Sequence, residues 1–128
     1  MIKFKDLILK LDKIIGLALE IKKTELNSEE VLDLSDVKIE DLSATKEERV
    51  LINYLKTLSD EEVHAVMSIM YLGRDGYLEF TGNSDQALSY YMNLMDKEKK
   101  NIEIEIMLDK FVLYDYLIKG REILIGIM

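Results

Sequence analysis

Apolar side chains near the start of the chain recur at helical spacing and define one stripe. Its members are Phe4, Leu7, Ile8, Leu11, Ile15 and Ala18, broadened by Ile14, Leu17 and Ile21. This stripe predicts an amphipathic helix from about Lys3 to Leu26, roughly 35 Å long at about 1.5 Å per residue. Gly16 lies inside this helix, where glycine costs about 1 kcal/mol. We interpret Gly16 as a point where another helix crosses closely.

Two capping boxes mark the next helix starts. Thr45 with Glu48, and Ser59 with Glu62, have the spacing at which each side chain satisfies the other residue's backbone N–H. Apolar residues follow both boxes at helical spacing, so the sequence predicts a helical hairpin. The apolar positions are Val50, Leu51, Tyr54, Leu55 and Leu58 in the first helix and Val63, Val66, Met67 and Met70 in the second.

The tetrapeptide Gly-Arg-Asp-Gly at 73–76 interrupts the helical pattern. We predict that Gly73 caps the C-terminus of the preceding helix and that Gly76 adopts a positive φ in a tight turn. A short extended segment is predicted near 77–80, followed by a helix that is capped by Asn83 or Ser84 and ends near Lys97.

The last third of the chain contains two competing patterns. Residues 102–106 alternate like a strand, whereas the apolar positions from Ile106 onward fit a helix with a wide apolar face. We predict one helix from about 99 to 119, ended by Gly120. The apolar tail at 121–128 is predicted to add either a helical turn or a strand.

Together these elements predict an all-α fold, a compact bundle of about five helices with a long N-terminal helix. The length of 128 residues corresponds to a single domain, 1–128. Residues 27–44 are acidic with a few apolar anchors, and we predict a mobile segment there. Short extended segments are expected only near 77–80 and at the C-terminus.

The charge balance narrows the range of partners. Seventeen lysines and arginines face 25 acids, giving a net charge of −8, which opposes binding to nucleic acid or to an anionic membrane. Nine acids and two lysines lie between Glu25 and Glu48. Such a run is typical of a solvated face; the alternative is an acidic decoy that occupies the basic groove of a nucleic-acid-binding protein.

Cysteine is absent, which fits a reducing compartment. The N-terminus shows no clean apolar region of a signal peptide, and its longest uncharged apolar stretch is far shorter than the roughly 20 residues that span a bilayer. We therefore expect a cytoplasmic protein that does not bind a membrane.

Two segments resemble a known bacterial family. Segment 58–75 begins Leu-Ser-Asp-Glu-Glu and ends Met-Tyr-Leu-Gly-Arg-Asp, and segment 113–120 reads Leu-Tyr-Asp-Tyr-Leu-Ile-Lys-Gly. Over about the C-terminal 70 residues, the chain is similar to the family called domain of unknown function 3775. That family has Leu-Gly-Arg-Gly, and Asp75 stands in place of its last glycine. The resemblance implies a small helical domain and no particular activity.

His64 is the only histidine, which excludes sites built from paired histidines. On its helix it shares a face with Asp60, Ser68 and Tyr71, so that Asp60 could orient the imidazole and the imidazole could activate Ser68. A serine four residues from a histidine on one helix has a poor geometry for a nucleophile, and no oxyanion donors accompany it. We favour a helix-packing or solvent-facing histidine.

Arg74 lies between two glycines at a helix end. Its guanidinium can pair internally with Asp75 or another helix carboxylate, the favoured interpretation, or bind a carboxylate or phosphate of a partner. We assign no catalytic residue, metal or cofactor. The sequence around Asp75 resembles part of an EF-hand loop but lacks the residues that bind calcium there. No glycine-rich phosphate-binding loop is present in the sequence. The candidate partner- or ligand-binding residues are His64, Tyr71, Gly73, Arg74, Asp75, Gly76 and Tyr77.

These observations favour a protein-interaction or regulatory module over an enzyme. The apolar faces of the first and last helices are broader than a small bundle needs, which indicates a protein partner or self-association as a dimer. A special case is a small acidic inhibitor of a nucleic-acid-binding protein, of the kind that mobile elements encode. The enzyme alternative uses His64 as base and Arg74 as clamp for a small anionic substrate.

Overall fold

Six α-helices make up the part of the chain that the computed structural model describes, residues 2–27, 45–77, 82–110 and 112–127. No strand occurs among these residues. The predicted all-α bundle with a long N-terminal helix is therefore confirmed, with six helices instead of about five. They are α1 (Phe4–Asn27), α2 (Lys46–Lys56), α3 (Asp60–Asp75), α4 (Ser84–Leu94), α5 (Lys100–Leu108) and α6 (Leu113–Ile125).

Two predicted segments fall largely outside the described residues. The acidic segment at 27–44 does so apart from Asn27, which ends α1. The extended segment at 77–80 does so apart from Tyr77, which follows α3 outside any helix or strand.

The long first helix matches its prediction to within one residue at each end. Its stripe enters the core, where Phe4, Leu7, Leu11 and Ile14 are almost completely buried. Gly16, however, is exposed, and a Cβ added there would meet nothing within 4 Å. The crossing interpretation of Gly16 is wrong because this glycine lies on the solvent side of α1.

The helices α2, α3 and α4 begin directly after predicted capping residues. Ser59 and Glu62 form a reciprocal capping box at α3, in which the Glu62 backbone N–H donates to Ser59 Oγ at 3.1 Å. Asn83 and Gln86 form the same arrangement at α4. At α2 only half of the predicted box forms: the hydroxyl oxygen of Thr45 accepts from the backbone N–H of Glu48, but the Glu48 side chain does not return the bond to the Thr45 backbone. These short-range bonds satisfy helix donors that have no partner within the helix.

The single helix predicted over 99–119 is wrong, because the chain breaks between α5 and α6. At about 3.6 residues per turn, the buried positions of the two helices would lie on different sides of one continuous helix. Two separate helices let both sets reach the core. The buried set is Glu103, Ile104 and Met107 in α5 and Leu113, Leu117, Gly120 and Leu124 in α6.

The C-terminal tail also differs from expectation. Gly120 does not end a helix, and α6 continues to Ile125, so the strand alternative for the tail is wrong within the described residues. Leu124 is fully buried, and this burial requires the extra helical turns.

The central helix of the bundle is α3. Every residue from Val63 to Met70 is buried, as is typical of a helix surrounded by its neighbours. Its C-terminus lies at Asp75, followed by Gly76 with a φ of 81°. The left-handed Gly76 is thus confirmed, whereas the prediction that Gly73 caps the helix is wrong.

Gly73 instead forms the closest helix crossing, between α3 and α6, the two helices that contact each other most extensively. A Cβ at Gly73 would lie 2.6 Å from the carbonyl carbon of Tyr116 and 2.9 Å from the backbone nitrogen of Gly120. A Cβ at Gly120 would lie 2.8 Å from Cγ2 of Ile69. Each helix therefore presents one glycine to the backbone of the other.

No helix in the described ranges combines the length and the apolar character that crossing a bilayer requires.

Lys10 of α1 and Glu62 of α3 form an ion pair of 2.5 Å between Nζ and Oε2. The hydrogen bond from Lys10, followed by that from the Ser59 backbone, lowers the pKa of Glu62 below its ordinary value of 4.5. The same carboxylate thus caps α3 and joins it to α1.

We expect Gly73→Ala and Gly120→Ala each to destabilise the fold by about 1–3 kcal/mol or more, because backbone atoms block the new methyl group and the helices must separate. Gly16→Ala is the matched control and should stabilise the fold by about 0.5–1 kcal/mol, since its surroundings are open. Urea unfolding measures all three. Equal stability of the Gly73→Ala variant and the parent chain would contradict the close crossing.

Glu62→Gln should remove one component of the acid sensitivity of folding. A carboxyl whose pKa is lowered in the folded state stabilises the fold at pH values above its unfolded-state pKa. This contribution disappears as the pH falls through its folded-state pKa. The stability difference between the parent chain and Glu62→Gln should therefore shrink steadily below about pH 4.5. Urea unfolding from pH 7 to pH 3 measures this, and a constant difference would contradict it.

Candidate functional site

The candidate residues all lie on α3 or directly after it, but the structure divides them into two groups. His64 is buried in the first half of α3, with 4% of its surface exposed. Tyr71, Arg74 and Asp75 lie near its C-terminal end, where the side chains reach the surface. Gly73 belongs to the helix crossing, and so it is not available to a ligand.

Both ring nitrogens of His64 have partners. Nε2 lies 2.8 Å from the carbonyl oxygen of Met92, and Nδ1 lies 2.6 Å from Oε2 of Glu103. A carbonyl oxygen can only accept a hydrogen bond, so Nε2 carries a proton and donates it to Met92. The imidazole thus connects α3 to the end of α4 and to α5.

One further proton is shared between His64 and Glu103. Two lone pairs would repel each other at 2.6 Å, so a proton lies between Nδ1 and Oε2. The pair is either imidazolium with carboxylate or imidazole with carboxylic acid, and both forms are neutral overall. This neutrality makes burial tolerable, since an unpaired charge in the same place would cost several kcal/mol.

Glu103 is the polar group that sequence reasoning missed. It is fully buried, its Oε2 also accepts from the backbone N–H of Glu98 at 3.3 Å, and its Oε1 has no hydrogen-bond partner among the described residues. The available signal was its position between two isoleucines of the alternating segment 102–106, in a chain with one histidine.

The catalytic arrangement of Asp60, His64 and Ser68, which the sequence disfavours, does not form. Asp60 is exposed, and the hydroxyl of Ser68 donates to the backbone carbonyl of His64 at 2.8 Å instead of facing the imidazole. Because both nitrogens of His64 are occupied, the imidazole has no free position for a substrate proton. The helix-packing role is the one that the geometry supports.

A second cluster surrounds the end of α3. The guanidinium of Arg74 donates to Oδ1 of Asp75 from Nε at 3.2 Å and from Nη2 at 3.1 Å, and it lies 4.6 Å above the ring of Tyr71. The hydroxyl of Tyr91 donates to the other carboxylate oxygen of Asp75. The internal pairing of Arg74 with Asp75, favoured from the sequence, is thus present. Stacking and pairing together restrict the orientation of the guanidinium, although the Arg74 side chain is 46% exposed.

A groove opens beside this cluster, between α3 and the connection from α4 to α5. We call it the α3-end groove. Lys110 adds a second cation, with Nζ 5.7 Å from the centre of the Tyr71 ring. Tyr77 is 65% exposed just past Gly76. The groove is lined by Met67, Tyr71, Arg74, Met95, Asp96, Glu98 and Ile106.

Sequence reasoning missed Tyr91 and Lys110, because both join the cluster through tertiary contacts. Lys110 follows α5, and Tyr91 lies in α4. Neither residue has a spacing relation to Arg74 that would reveal the contact.

The described residues contain no group of three or more histidine or carboxylate side chains arranged to hold a metal ion. The sequence matches no known family model, no curated protein and no solved structure. The resemblance to domain of unknown function 3775 therefore stays a prediction.

His64→Ala should destabilise the fold by about 3–5 kcal/mol, because it leaves the Glu103 carboxyl buried without its partner. Glu103→Gln should cost only about 1 kcal/mol, since the amide can donate to Nδ1 while Nε2 still donates to Met92. Replacing both residues by leucine should recover most of the loss. Urea unfolding of the three variants tests the pair, and equal losses for His64→Ala and Glu103→Gln would exclude a shared proton.

Proposed function

We propose that this chain is a protein-interaction module and that the α3-end groove is its binding surface. The observation that carries the proposal is the convergence of two cations, Arg74 and Lys110, on the ring of Tyr71 beside the side chains of Met67 and Met95. Arginine, tyrosine and methionine are the residue types enriched in the centres of protein interfaces.

The groove is also ordered in advance of binding. Arg74 is held by Asp75, Asp75 is held by Tyr91, and Tyr91 is itself buried in the core. A guanidinium already fixed in place loses less conformational entropy when a partner binds, which favours affinity. Met95, which is half-buried, supplies adaptable apolar surface next to this group.

The charges of the groove indicate the chemistry of its partner. Arg74 and Lys110 lie against the ring of Tyr71, while the acids Asp96 and Glu98 line the groove from the connection between α4 and α5. We infer a partner segment with a carboxylate beside an apolar side chain, the first pairing with the two cations and the second contacting Met95.

The enzyme alternative has less support. It requires His64 as a free base, but both nitrogens of His64 are engaged. It also requires Arg74 to clamp an anion, and the guanidinium is already shared with Asp75. A protein surface can use a partly engaged arginine, because stacking and shape contribute as much as the charge.

The reason for expecting a dimer is weakened by the structure. The broad apolar faces of α1 and α6 are mostly buried inside the bundle. Within the described ranges, the large hydrophobic residues that stay exposed on these two helices are Leu9 and Ile125. The acidic-inhibitor hypothesis rests on residues 25–48, most of which lie outside the described part of the chain. Neither idea has an observation comparable to the α3-end groove.

Selection from a phage-displayed library of random linear peptides tests this proposal. We expect enriched peptides to carry an Asp or Glu next to an apolar residue, and Arg74→Glu combined with Lys110→Glu should weaken their binding at least tenfold. Lys3→Glu combined with Lys5→Glu changes the net charge equally at exposed sites outside the groove and is the matched control. Thermal unfolding confirms that both double variants fold. Peptides that bind both variants alike would overturn the assignment of the groove.

A further inference from the structure

A second groove runs between α2 and α5, and we call it the α2–α5 groove. α2 contributes Ile52 to its floor, and α5 contributes Ile104 and Leu108. It lies on the opposite face of α5 from the α3-end groove, whose wall contains Ile106. The two surfaces therefore share a helix but no lining residue.

The α2–α5 groove follows the axes of two antiparallel helices. At one end, the Lys100 ammonium donates to the backbone carbonyl oxygen of Lys56 at 2.7 Å and to that of Leu58. At the other end, Glu48 and Leu108 line the same depression. The lining positions of α2 repeat every four residues, so the groove extends over about two helical turns, or roughly 12 Å. Ile52, Ile104 and Leu108 form its apolar lining among polar residues, and a groove of this length fits the side of a third helix.

Charge is distributed unevenly along this groove. Glu48, Glu105 and Asp109 lie toward one end, whereas Lys56 lies at the other. Glu105 and Asp109 are exposed, and no ion pair joins either of them to a cation among the described residues. The acidic end therefore offers carboxylates that a partner's cations can approach.

We propose that the α2–α5 groove binds an amphipathic helix of another protein, with the apolar face of that helix on Ile52, Ile104 and Leu108. Lysines or arginines at one end of the helix pair with Glu105, Asp109 and Glu48. This interaction is additional to the one proposed at the α3-end groove. The charge complementarity fixes the direction of the bound helix as well as its partner class.

A second copy of this chain is a poorer occupant than a basic helix. Two copies would bring two acidic groove ends and two molecules of net charge −8 together, and like charges at close range cost free energy. The helices of the chain also bury their apolar faces internally, as α1 and α3 show. None of the described helices offers a long free apolar face to insert.

A phage-displayed library of amphipathic helices tests the proposal. Its members have fixed apolar positions at helical spacing and randomised polar positions. We expect selection on the intact chain to enrich Lys or Arg at one end of the helix. Amide shifts in ¹H–¹⁵N spectra should concentrate in α2 and α5 when a selected peptide, made synthetically, is added.

Charge reversal supplies the second part of this test. Glu105→Lys combined with Asp109→Lys should weaken the binding of the selected peptides at least tenfold. The matched control is Glu20→Lys combined with Glu122→Lys, at exposed sites on α1 and α6, and it should change peptide affinity less than twofold. The proposal would be overturned by any of three results: selected peptides without basic residues, equal binding of the peptides to both double variants, or amide shifts outside α2 and α5.

Light scattering tests the alternative occupant, a second copy of this chain. A dimer that Glu105→Lys with Asp109→Lys abolishes would overturn the proposal in favour of that second copy. Arg74→Glu alone, at a residue outside the α2–α5 groove, should leave the selected peptides bound, so a failure here is separable from a failure at the α3-end groove.

Discussion

The close approach of α3 and α6 is the constraint on which the rest of the bundle depends. Gly73 and Gly120 each face the backbone of the opposite helix, so the two helices meet without intervening side chains. This contact places the most buried helix of the fold at its centre and requires α6 to continue past Gly120. Leu117 and Leu124, one turn away on either side, are then fully buried. α4 and α5 pack against other faces of α3, whereas α1 packs mainly against α2 and α6.

The neutral pair of His64 and Glu103 has a different role in the same core. Apolar contacts tolerate small sliding movements between helices, whereas a hydrogen bond of 2.6 Å to a buried carboxyl does so far less. The pair therefore fixes α5 relative to α3, and the bond from Nε2 to Met92 fixes the end of α4. Buried polar pairs contribute less to stability than to uniqueness of packing in some proteins. Here that uniqueness determines the positions of both proposed binding grooves.

Both grooves depend on α5, a helix of nine residues. One face of α5 forms a wall of the α3-end groove, its opposite side forms a wall of the α2–α5 groove, and Glu103 anchors it in the core between them. The charged residues that line the two grooves differ: Arg74, Asp96 and Glu98 line the α3-end groove, and Glu48, Lys56, Glu105 and Asp109 line the α2–α5 groove.

The sequence by itself determined the local features of this protein. The apolar stripe predicted α1, the caps at Thr45, Ser59 and Asn83 marked three helix starts, and Gly76 had the predicted left-handed turn. Each of these features depends on residues within a few positions of one another, where spacing alone reports the interaction.

Only the tertiary structure decided the rest. Gly16, Gly73 and Gly120 look alike in sequence, yet the first faces solvent and the other two form a helix crossing, because the difference lies in what stands opposite each glycine. Glu103 became the partner of His64 across 39 positions, and Lys110 reached Tyr71 in the same way. The break between α5 and α6 follows from the need to bury two apolar faces against different neighbours. Contacts between distant residues depend on the packing of whole helices, and no local pattern records that packing.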